Sequence, residues 1–163
     1  MKSIIIQFGG TGDLALKKLY PAYARLLEKG YDFHVLALGR RYADRSEFVK
    51  AMITKDESNT MLTRLDYLMY DMEDPSAPNI LSERLCSLIG EHNEVELIYY
   101  LALQPSLYED AIRQIQQADA AVGCNCTLHK KIVVEKPFGF DLESAQRYNQ
   151  ILETAFTDKE IFR

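Results

Sequence analysis

The sequence has few cysteines and no long apolar segment, and both features narrow the class of protein. Its 163 residues include Cys86, Cys124 and Cys126, an odd number without the spacing of a disulfide framework or a zinc site. Such usage is typical of a reducing compartment. The apolar run that begins at Ile4 is too short for a signal peptide, and no run reaches the length of a membrane span. We therefore expect a cytoplasmic protein.

Basic charge is also in short supply. The chain has 19 lysines and arginines against 24 aspartates and glutamates, which gives a net charge of −5. We therefore expect neither nucleic acid nor a membrane surface as a partner. The one short basic run, His129-Lys130-Lys131, is interpreted as a solvated loop. Repeats and linkers are lacking too, so the length predicts one domain with a buried core.

What the sequence does contain, at its start, is a strand followed by a glycine-rich turn. Residues 3–8 form an apolar, β-branched run, which is typical of a strand buried on both faces. The glycines of the turn allow a sharp reversal and leave no side chain between backbone and ligand. Asp13 is predicted to cap the helix that follows. The whole segment comprises Gly9, Gly10, Thr11, Gly12, Asp13, Leu14 and Ala15.

A helix that starts at such a turn presents free N–H groups, which commonly bind phosphate. The spacing is G-x-x-G-x-x-A rather than the commoner G-x-G-x-x-G, and an ordinary glycine turn is the alternative. Because the turn follows a buried strand, we interpret it as the pyrophosphate site of a dinucleotide.

Apolar periodicity predicts alternating strands and helices along the rest of the chain. Strands are predicted at residues 33–38, 65–72, 95–103 and 131–135, and helices at 14–28, 44–53, 80–91, 107–117 and 142–156. Pro21 is expected to kink or break the first helix and Gly30 to end it, while Asp44 or Ser46 caps the second. This alternation predicts an α/β fold, Rossmann-like and doubly wound, with a mainly parallel sheet.

In a sheet of this type, ligands bind at the carboxyl ends of the strands. The candidate site residues beyond the turn are therefore those at, or directly after, the carboxyl ends of predicted strands. They are Arg40, Arg41, Tyr70, Asp71, Leu103, Gln104, Pro105, Ser106, Glu135, Lys136 and Pro137. We expect these residues to converge on the glycine turn.

Two arginines, Arg40 and Arg41, follow the second strand directly. Enzymes that use NAD usually carry Asp or Glu there, which binds the ribose 2′-hydroxyl. A guanidinium suits a 2′-phosphate instead, although two solvated surface arginines are the alternative. We predict NADP as the cofactor, with NAD possible, and a second contact from the Thr11 hydroxyl to the same phosphate.

Two further segments follow later strands. Lys136 is predicted to bind an anionic or hydroxylated substrate near the nicotinamide, with a surface lysine as the alternative. Pro137, next to it, is a candidate for a cis peptide bond. The segment Gln104-Pro105-Ser106 is predicted to turn against the cofactor, and the alternative is that it serves helix packing by Tyr108.

Three segments together resemble the glucose-6-phosphate dehydrogenase family. They are FGGTGDLA at residues 8–15 with KKLYPA at 17–22, YLALQPSLY at 100–108, and IVVEKPFG at 132–139 with Asp141, Leu142, Ser144 and Ala145. Their order and spacing agree with the family across essentially the whole chain.

The resemblance implies hydride transfer from C1 of glucose 6-phosphate to NADP, the entry to the pentose phosphate pathway. It implies that the glycine turn holds the pyrophosphate and that Thr11 and Arg40 meet the 2′-phosphate. It also implies that Lys136 lies between cofactor and sugar, and that Lys18 is near the substrate. From the residues alone, Lys17 and Lys18 are more typical of solvent-exposed charges, although Lys18 can face the cleft.

The family continues past a Phe-Arg pair like Phe162-Arg163 into a segment with substrate-phosphate ligands and a large α+β domain. That domain carries the histidine general base and the oligomer contacts. We therefore expect residues 1–163 to be the NAD(P)-binding domain alone, inactive by itself, without the native interface and with apolar surface exposed near the last helix. His34, His92 and His129 are predicted at a strand start and in two loops, so no catalytic or metal-binding residue is predicted here.

Two alternative functions remain open. One is a sugar dehydrogenase of the glucose–fructose oxidoreductase type, which also has Glu-Lys-Pro after a Rossmann strand. The other is a non-catalytic module that senses a dinucleotide. GDLA at residues 12–15 and FG at 138–139 favour glucose-6-phosphate dehydrogenase over the first of these.

Overall fold

The computed structural model describes residues 1–52, 59–136, 139 and 141–163, and these residues are built around a parallel sheet. Its strands are β1 (Lys2–Phe8), β2 (His34–Gly39), β3 (Leu65–Met69), β4 (Glu94–Leu101), β5 (Thr127–Val134) and β6 (Ile161–Phe162). Their order is β3-β2-β1-β4-β5-β6, and every neighbouring pair runs parallel. The order reverses between β1 and β4, which is where doubly wound sheets bind ligands. The predicted fold class is confirmed.

Helices pack on both faces of this sheet. The described ones are α1 (Tyr20–Glu28), α2 (Arg45–Met52), α3 (Asn59–Arg64), α4 (Ala77–Ile89), α5 (Tyr108–Ala121) and α6 (Leu142–Glu153). A π-helical segment, Ala15–Leu19, leads into α1, and a 3₁₀ turn, Pro105–Leu107, leads into α5. The helices α1, α2 and α3 bury their apolar residues on one face, and α4, α5 and α6 on the other.

The central strand β1 contributes to both apolar clusters. Ile4 and Ile6 belong to the cluster under α4, α5 and α6, whereas Ile5 between them belongs to the other. This alternation is the two-residue period of a strand. None of the three is more than 8% exposed, so the prediction of a strand buried on both faces is confirmed.

The two halves of the sheet are covered differently. Both faces of β1, β2 and β3 are packed with helices. In the described part of the chain, β5, β6 and most of β4 are covered by helices on one face only. We call the other surface the open face. It comprises Glu96, Ile98, Tyr100, His129, Lys131, Val133 and Phe162, of which Ile98 and Tyr100 also border the cluster under α1, α2 and α3. Phe162 is 47% exposed there.

The basic run at residues 129–131 lies inside β5, so its interpretation as a loop is wrong. The neighbouring strand supplies the reason. His129 Nε2 lies 2.9 Å from Glu94 Oε1, and Lys131 donates to the carboxylate of Glu96, both on β4. Because these partners are more than 30 residues away in sequence, local pattern could not reveal them.

Other element boundaries also differ from the predictions. The third strand ends at Met69 rather than at residue 72, and α3 and β6 were not predicted. The structure joins Cys124 to Cys126 in a disulfide, which the cysteine spacing did not suggest. The predicted helix end at Ile53 and the peptide bond before Pro137 lie outside the described residues.

Two predicted helix boundaries are confirmed. The N–H of Glu47 donates to the Asp44 carboxylate at 2.9 Å, so Asp44 rather than Ser46 caps α2. Gly30 adopts a φ of 89° after α1, with its N–H bonded to the carbonyl of Leu27 at 3.0 Å. A left-handed glycine in this position ends the helix as expected.

Candidate functional site

The glycine turn is wedged between the ends of two strands at the point where the strand order reverses. Gly9 has a φ of 70°, and a Cβ on it would lie 2.3 Å from the carbonyl oxygen of Ala102, just past β4. A Cβ on Gly10 would lie 2.9 Å from the Cβ of Ala37 in β2. The N–H of Gly10 also donates to the carbonyl of Leu38 at 2.8 Å. Only a chain without side chains can occupy this space, which matches a cradle for a dinucleotide.

The first helix begins directly after Gly12, whose carbonyl accepts from the N–H of Leu16 at 3.0 Å. Asp13 already lies within the first turn and pairs with Lys17 at 2.6 Å, so the prediction that Asp13 caps the helix is wrong. The hydrogen bond and charge of Lys17, and more weakly the charge of Arg41, hold the pKa of Asp13 below its ordinary value. The first N–H groups of such a helix lack intrahelical acceptors, which suits a pyrophosphate.

The helix is widened before its proline. Residues 15–19 are π-helical, and regular α-helical geometry resumes at Tyr20, next to Pro21. Because proline has no N–H to give to the preceding turn, a local change of helix pitch accommodates it. The chain is helical without interruption from Asp13 to Glu28, so no break occurs at Pro21, and the departure from α-helical geometry lies in the turn before it. The Tyr20 hydroxyl donates to the carbonyl of Gly10 at 2.5 Å and so ties the helix to the glycine turn.

The segment that carries Arg40 and Arg41 is held by a buried tyrosine of β3. The Tyr67 hydroxyl lies 2.6 Å from the carbonyl oxygen of Gly39 and 2.8 Å from that of Tyr42, and it accepts from the N–H of Tyr42 at 3.3 Å. Burial raises the pKa of Tyr67, so the hydroxyl stays protonated at neutral pH. Sequence reasoning missed this residue, because it resembles any other aromatic residue of a buried strand.

Thr11 lies beside the end of β2, next to the segment that carries Arg40. A Cβ on Gly39 would lie 2.6 Å from Thr11 Oγ1, so the threonine side chain rests on the end of β2 immediately before Arg40. Arg40 in turn lies with its Nη1 3.6 Å from Asp71 Oδ1, after β3. The ends of β1, β2 and β3 therefore form one continuous polar wall.

A cavity of about 260 Å³ opens beside this wall. Six of the predicted site residues line it, namely Gly9, Thr11, Arg40, Tyr70, Asp71 and Leu103. The other lining residues were not predicted as site residues. Phe8, Leu38 and Gly39 are the last residues of their strands, Met72 and Glu73 lie beyond the end of β3, and Leu107 and Asp110 lie at the start of α5.

Tyr70 is a lining residue of the cavity whose hydroxyl is used inside the protein. Its hydroxyl donates to Gln114 Oε1 at 2.5 Å, and Gln114 Nε2 donates to the carbonyl of Met72 at 2.9 Å. The ring packs edge-on against Phe8, with ring centres 5.9 Å apart. Burial raises the pKa of Tyr70. The Tyr70 hydroxyl is therefore hydrogen-bonded inside the protein, and the aromatic ring is the part of Tyr70 that lines the cavity.

The remaining predicted residues that the structure describes do not line this cavity. They are Gly10, Gly12, Asp13, Leu14, Lys18, Arg41, Gln104, Pro105, Ser106, Glu135 and Lys136. The first four build the turn and the helix start, whereas Lys18, Arg41 and Lys136 are exposed. Gln104 precedes the 3₁₀ turn, and the carbonyl of Gln104 accepts from the N–H of Leu107 at 2.9 Å. Tyr108 after this turn is fully buried, so helix packing by Tyr108 occurs, whereas contact of the turn with a cofactor stays a prediction.

The three histidines lie at the other edge of the sheet. His34 begins β2, His92 precedes β4, and His129 is the third residue of β5. The amino ends of parallel strands meet at the edge opposite their carboxyl ends. Within the described residues, no group of His, Cys, Asp and Glu could hold a metal ion, and no helix is long and apolar enough to cross a bilayer.

Comparison with known proteins agrees with this geometry. A family model described as the NAD binding domain of glucose-6-phosphate dehydrogenase matches residues 5–163. The chain belongs to this family. It is similar to glucose-6-phosphate 1-dehydrogenase of Bacillus subtilis, at 31% identity over 99% of this chain and 35% of that protein. It is also similar to the enzyme of Leuconostoc mesenteroides, at 26% identity over 100% of this chain and 35% of that protein.

Solved structures of the family have the same fold. A glucose-6-phosphate dehydrogenase in complex with its substrate glucose-6-phosphate superposes with a TM-score of 0.83 at 26% identity, over 99% of this chain and 36% of that one. The enzyme of Mycobacterium avium gives 0.73, also at 26% identity and over the same shares of the two chains. The resemblance drawn from sequence is confirmed and favoured over both alternatives, and the cofactor class is a nicotinamide dinucleotide. The chain spans about a third of the length of these relatives.

Proposed function

We propose that this chain is the cofactor-binding domain of a glucose-6-phosphate dehydrogenase that uses NADP, with NAD as a second cofactor. The observation that carries the proposal is the shared wall of the cavity, where the glycine turn, Thr11 and Arg40 meet. The first N–H groups of the helix after Gly12 bind the pyrophosphate. Arg40 and Thr11 bind the 2′-phosphate, because a guanidinium and a hydroxyl both donate to phosphate oxygens.

In the whole enzyme, the reaction is the oxidation of glucose 6-phosphate at C1, for which the nicotinamide ring supplies the hydride acceptor. Lys136, exposed at the end of β5, binds hydroxyl or anionic groups of the sugar beside the cofactor. Lys18, exposed on the π-helical segment, reaches the substrate side of the cleft. The general base comes from outside this chain, because its three histidines lie at the opposite edge of the sheet.

We propose that a second domain of the enzyme packs on the open face of the sheet. This face combines an apolar part, Ile98 and Val133, with a charged pair, Glu96 and Lys131. Near the last helix, Leu142 is also exposed. Oligomer contacts belong to that second domain, so this chain alone has no native dimer interface. One relative, from Arabidopsis thaliana at 29% identity, carries the word cytoplasmic in its name, and we propose the same location.

Calorimetry with both cofactors tests the cofactor assignment. The variants are Arg40→Ala, Arg41→Ala and the double substitution, at fixed ionic strength. A charge-assisted contact contributes about 1.5–3 kcal/mol, so Arg40→Ala is expected to weaken NADP by roughly ten- to a hundred-fold. NAD lacks the phosphate and should change little. If the double variant keeps the original preference for NADP, the assignment of Arg40 is wrong.

A turnover assay tests the division of labour. The 163-residue chain should bind cofactor without oxidising glucose 6-phosphate, because general base catalysis typically contributes about 10²–10⁴-fold. Sustained turnover by the pure chain would contradict the proposal that the base lies elsewhere. Light scattering should show no defined dimer, and a tight dimer in solution would count against the proposed location of the oligomer contacts.

A further inference from the structure

The cavity beside the glycine turn carries more negative than positive charge. In the described part of the chain, Arg40 is its only basic lining residue, whereas Asp71, Glu73 and Asp110 also line it. Asp110 is paired with Arg113 at 2.6 Å, which compensates its charge. Asp71 is paired with Arg40 itself, at 3.6 Å. The guanidinium that would meet a 2′-phosphate therefore already faces a carboxylate.

The carboxylate of Asp71 is fixed in this position. The N–H of Glu73 donates to Asp71 Oδ1 at 3.1 Å, which holds the side chain against its own loop. The N–H of Tyr70 donates to the carbonyl of Gly39 at 2.9 Å, which joins the segment after β3 to the segment after β2. Asp71 and Arg40 are thus held on adjoining backbone segments, so a ligand that binds Arg40 in this position lies close to Asp71.

We propose that Asp71 sets the preference between NADP and NAD, an inference that rests on the proposed function. A 2′-phosphate carries nearly two negative charges at neutral pH, so it has to displace Asp71 from Arg40 and then remain close to the carboxylate. The 2′-hydroxyl of NAD meets no such repulsion and donates a hydrogen bond to a carboxylate. The acidic residue that usually follows β2 in NAD sites is here supplied after β3. Asp71 therefore lowers the affinity for NADP relative to NAD and keeps the site open to both.

The decisive variant is Asp71→Asn. Asparagine keeps the size of the side chain and the oxygen that accepts from the N–H of Glu73, but removes the charge. In calorimetry of the 163-residue chain at low salt, the Kd for NADP should fall about three- to ten-fold, and that for NAD should stay or rise. Added salt should reduce the gain, because it screens exposed charges. An unchanged ratio of the two constants, or an equal gain for both cofactors, would overturn the inference.

Three further variants locate the effect. Glu83→Gln changes the net charge equally on the exposed surface of α4, and it should leave the ratio unchanged. Glu73→Gln removes a charge from the same cavity, and a gain as large as that of Asp71→Asn would overturn the specific role of Asp71. In a chain that already carries Arg40→Ala, Asp71→Asn should increase the affinity for NADP by a smaller factor. An equal increase would show that Asp71 does not act through its ion pair with Arg40.

The failure of this inference is distinct from the failure of the proposed function. If the unmodified chain binds neither cofactor, the proposed function is wrong and this inference falls with it. If it binds both and Asp71→Asn does not change the ratio, only the role of Asp71 is wrong.

Discussion

The two halves of the sheet, β1 to β3 and β4 to β6, differ in how far helices of this chain cover them. The first half is covered on both faces and ends in a cavity walled by Thr11, Arg40 and Asp71. The second half keeps an open face, and Lys136 at its edge is exposed. A dinucleotide lies across the boundary between the two halves. The chain therefore encloses the carboxyl ends of β1, β2 and β3 more completely than those of β4, β5 and β6.

The largest effect is expected at the boundary itself, from Gly9→Ala. The new Cβ would meet the carbonyl of Ala102 at 2.3 Å in a backbone conformation that alanine rarely adopts. We expect a loss of about 3 kcal/mol or more in the free energy of unfolding, together with loss of cofactor binding. Gly30→Ala is the matched control, since Gly30 also has a positive φ but no heavy atom within 4 Å. Its free energy of unfolding, measured by chemical denaturation, should fall by about 1 kcal/mol. Equal losses in the two variants would show that Gly9 is not closely packed against Ala102.

Two neighbouring residues of β4 compare the covered and open faces directly. Leu97 is fully buried under the helices, whereas Ile98 points to the open face and is half-buried. Leu97→Ala should lower the free energy of unfolding by about 3 kcal/mol, and Ile98→Ala by about 1 kcal/mol. Urea denaturation of both variants measures the difference. Similar losses would mean that the open face is covered in solution.

Within the first half, Tyr67→Phe tests whether the hydroxyl on the arginine segment matters for the cofactor. We expect the free energy of unfolding to fall by about 1 kcal/mol. The affinity for NADP should fall several-fold more than the affinity for NAD does. Tyr23→Phe is the control, because the Tyr23 hydroxyl donates to Gln7 Oε1 at 2.7 Å in the same half but away from Arg40. It should cost similar stability without changing the preference. A shifted preference in the control would place the effect in the fold as a whole.

The smallest effect is expected at the amino edge of the first half. Burial, helped by the charges of Lys2 and Arg64, lowers the pKa of His34, although Asp32 and Asp66 oppose this. The unfolded chain therefore binds a proton at higher pH than the folded one, and His34 removes stability as the pH falls below about 6.5. As the pH falls from 7.5 to 5, the Tm of the unmodified chain should decrease more than the Tm of His34→Gln. A constant difference would contradict the shift.

Local pattern predicted those parts of the molecule whose causes are local. The strand before Gly9, the glycine turn and the cap at Asp44 all depend on neighbouring residues, and all are confirmed. The short helix α3 and the two residues of β6 carry too little periodicity to be recognised alone. Lys131 could be assigned to a strand only with its partner Glu96 in view.

The same limit applies to the site. Arg40 was predicted because it directly follows a strand, and its cavity contains Asp71 for the same reason. That the two side chains face each other depends on the register of β2 and β3, in which Gly39 lies beside Met69. Leu107 and Asp110 enter from α5, whose position over the cavity follows from packing rather than from sequence distance.

The π-helical segment has a consequence for how insertions and deletions would act on this protein. A π-helical turn amounts to one residue more than an α-helix needs for the same rise, and each residue of an α-helix turns the chain by about 100°. Deleting one residue within Ala15–Leu19 would restore the α-helical pitch, but Tyr20 is held in the core. The start of the helix would then rotate relative to the glycine turn and misdirect its N–H groups. The direction of the first helical N–H groups is thus fixed by the number of residues between Gly12 and Tyr20.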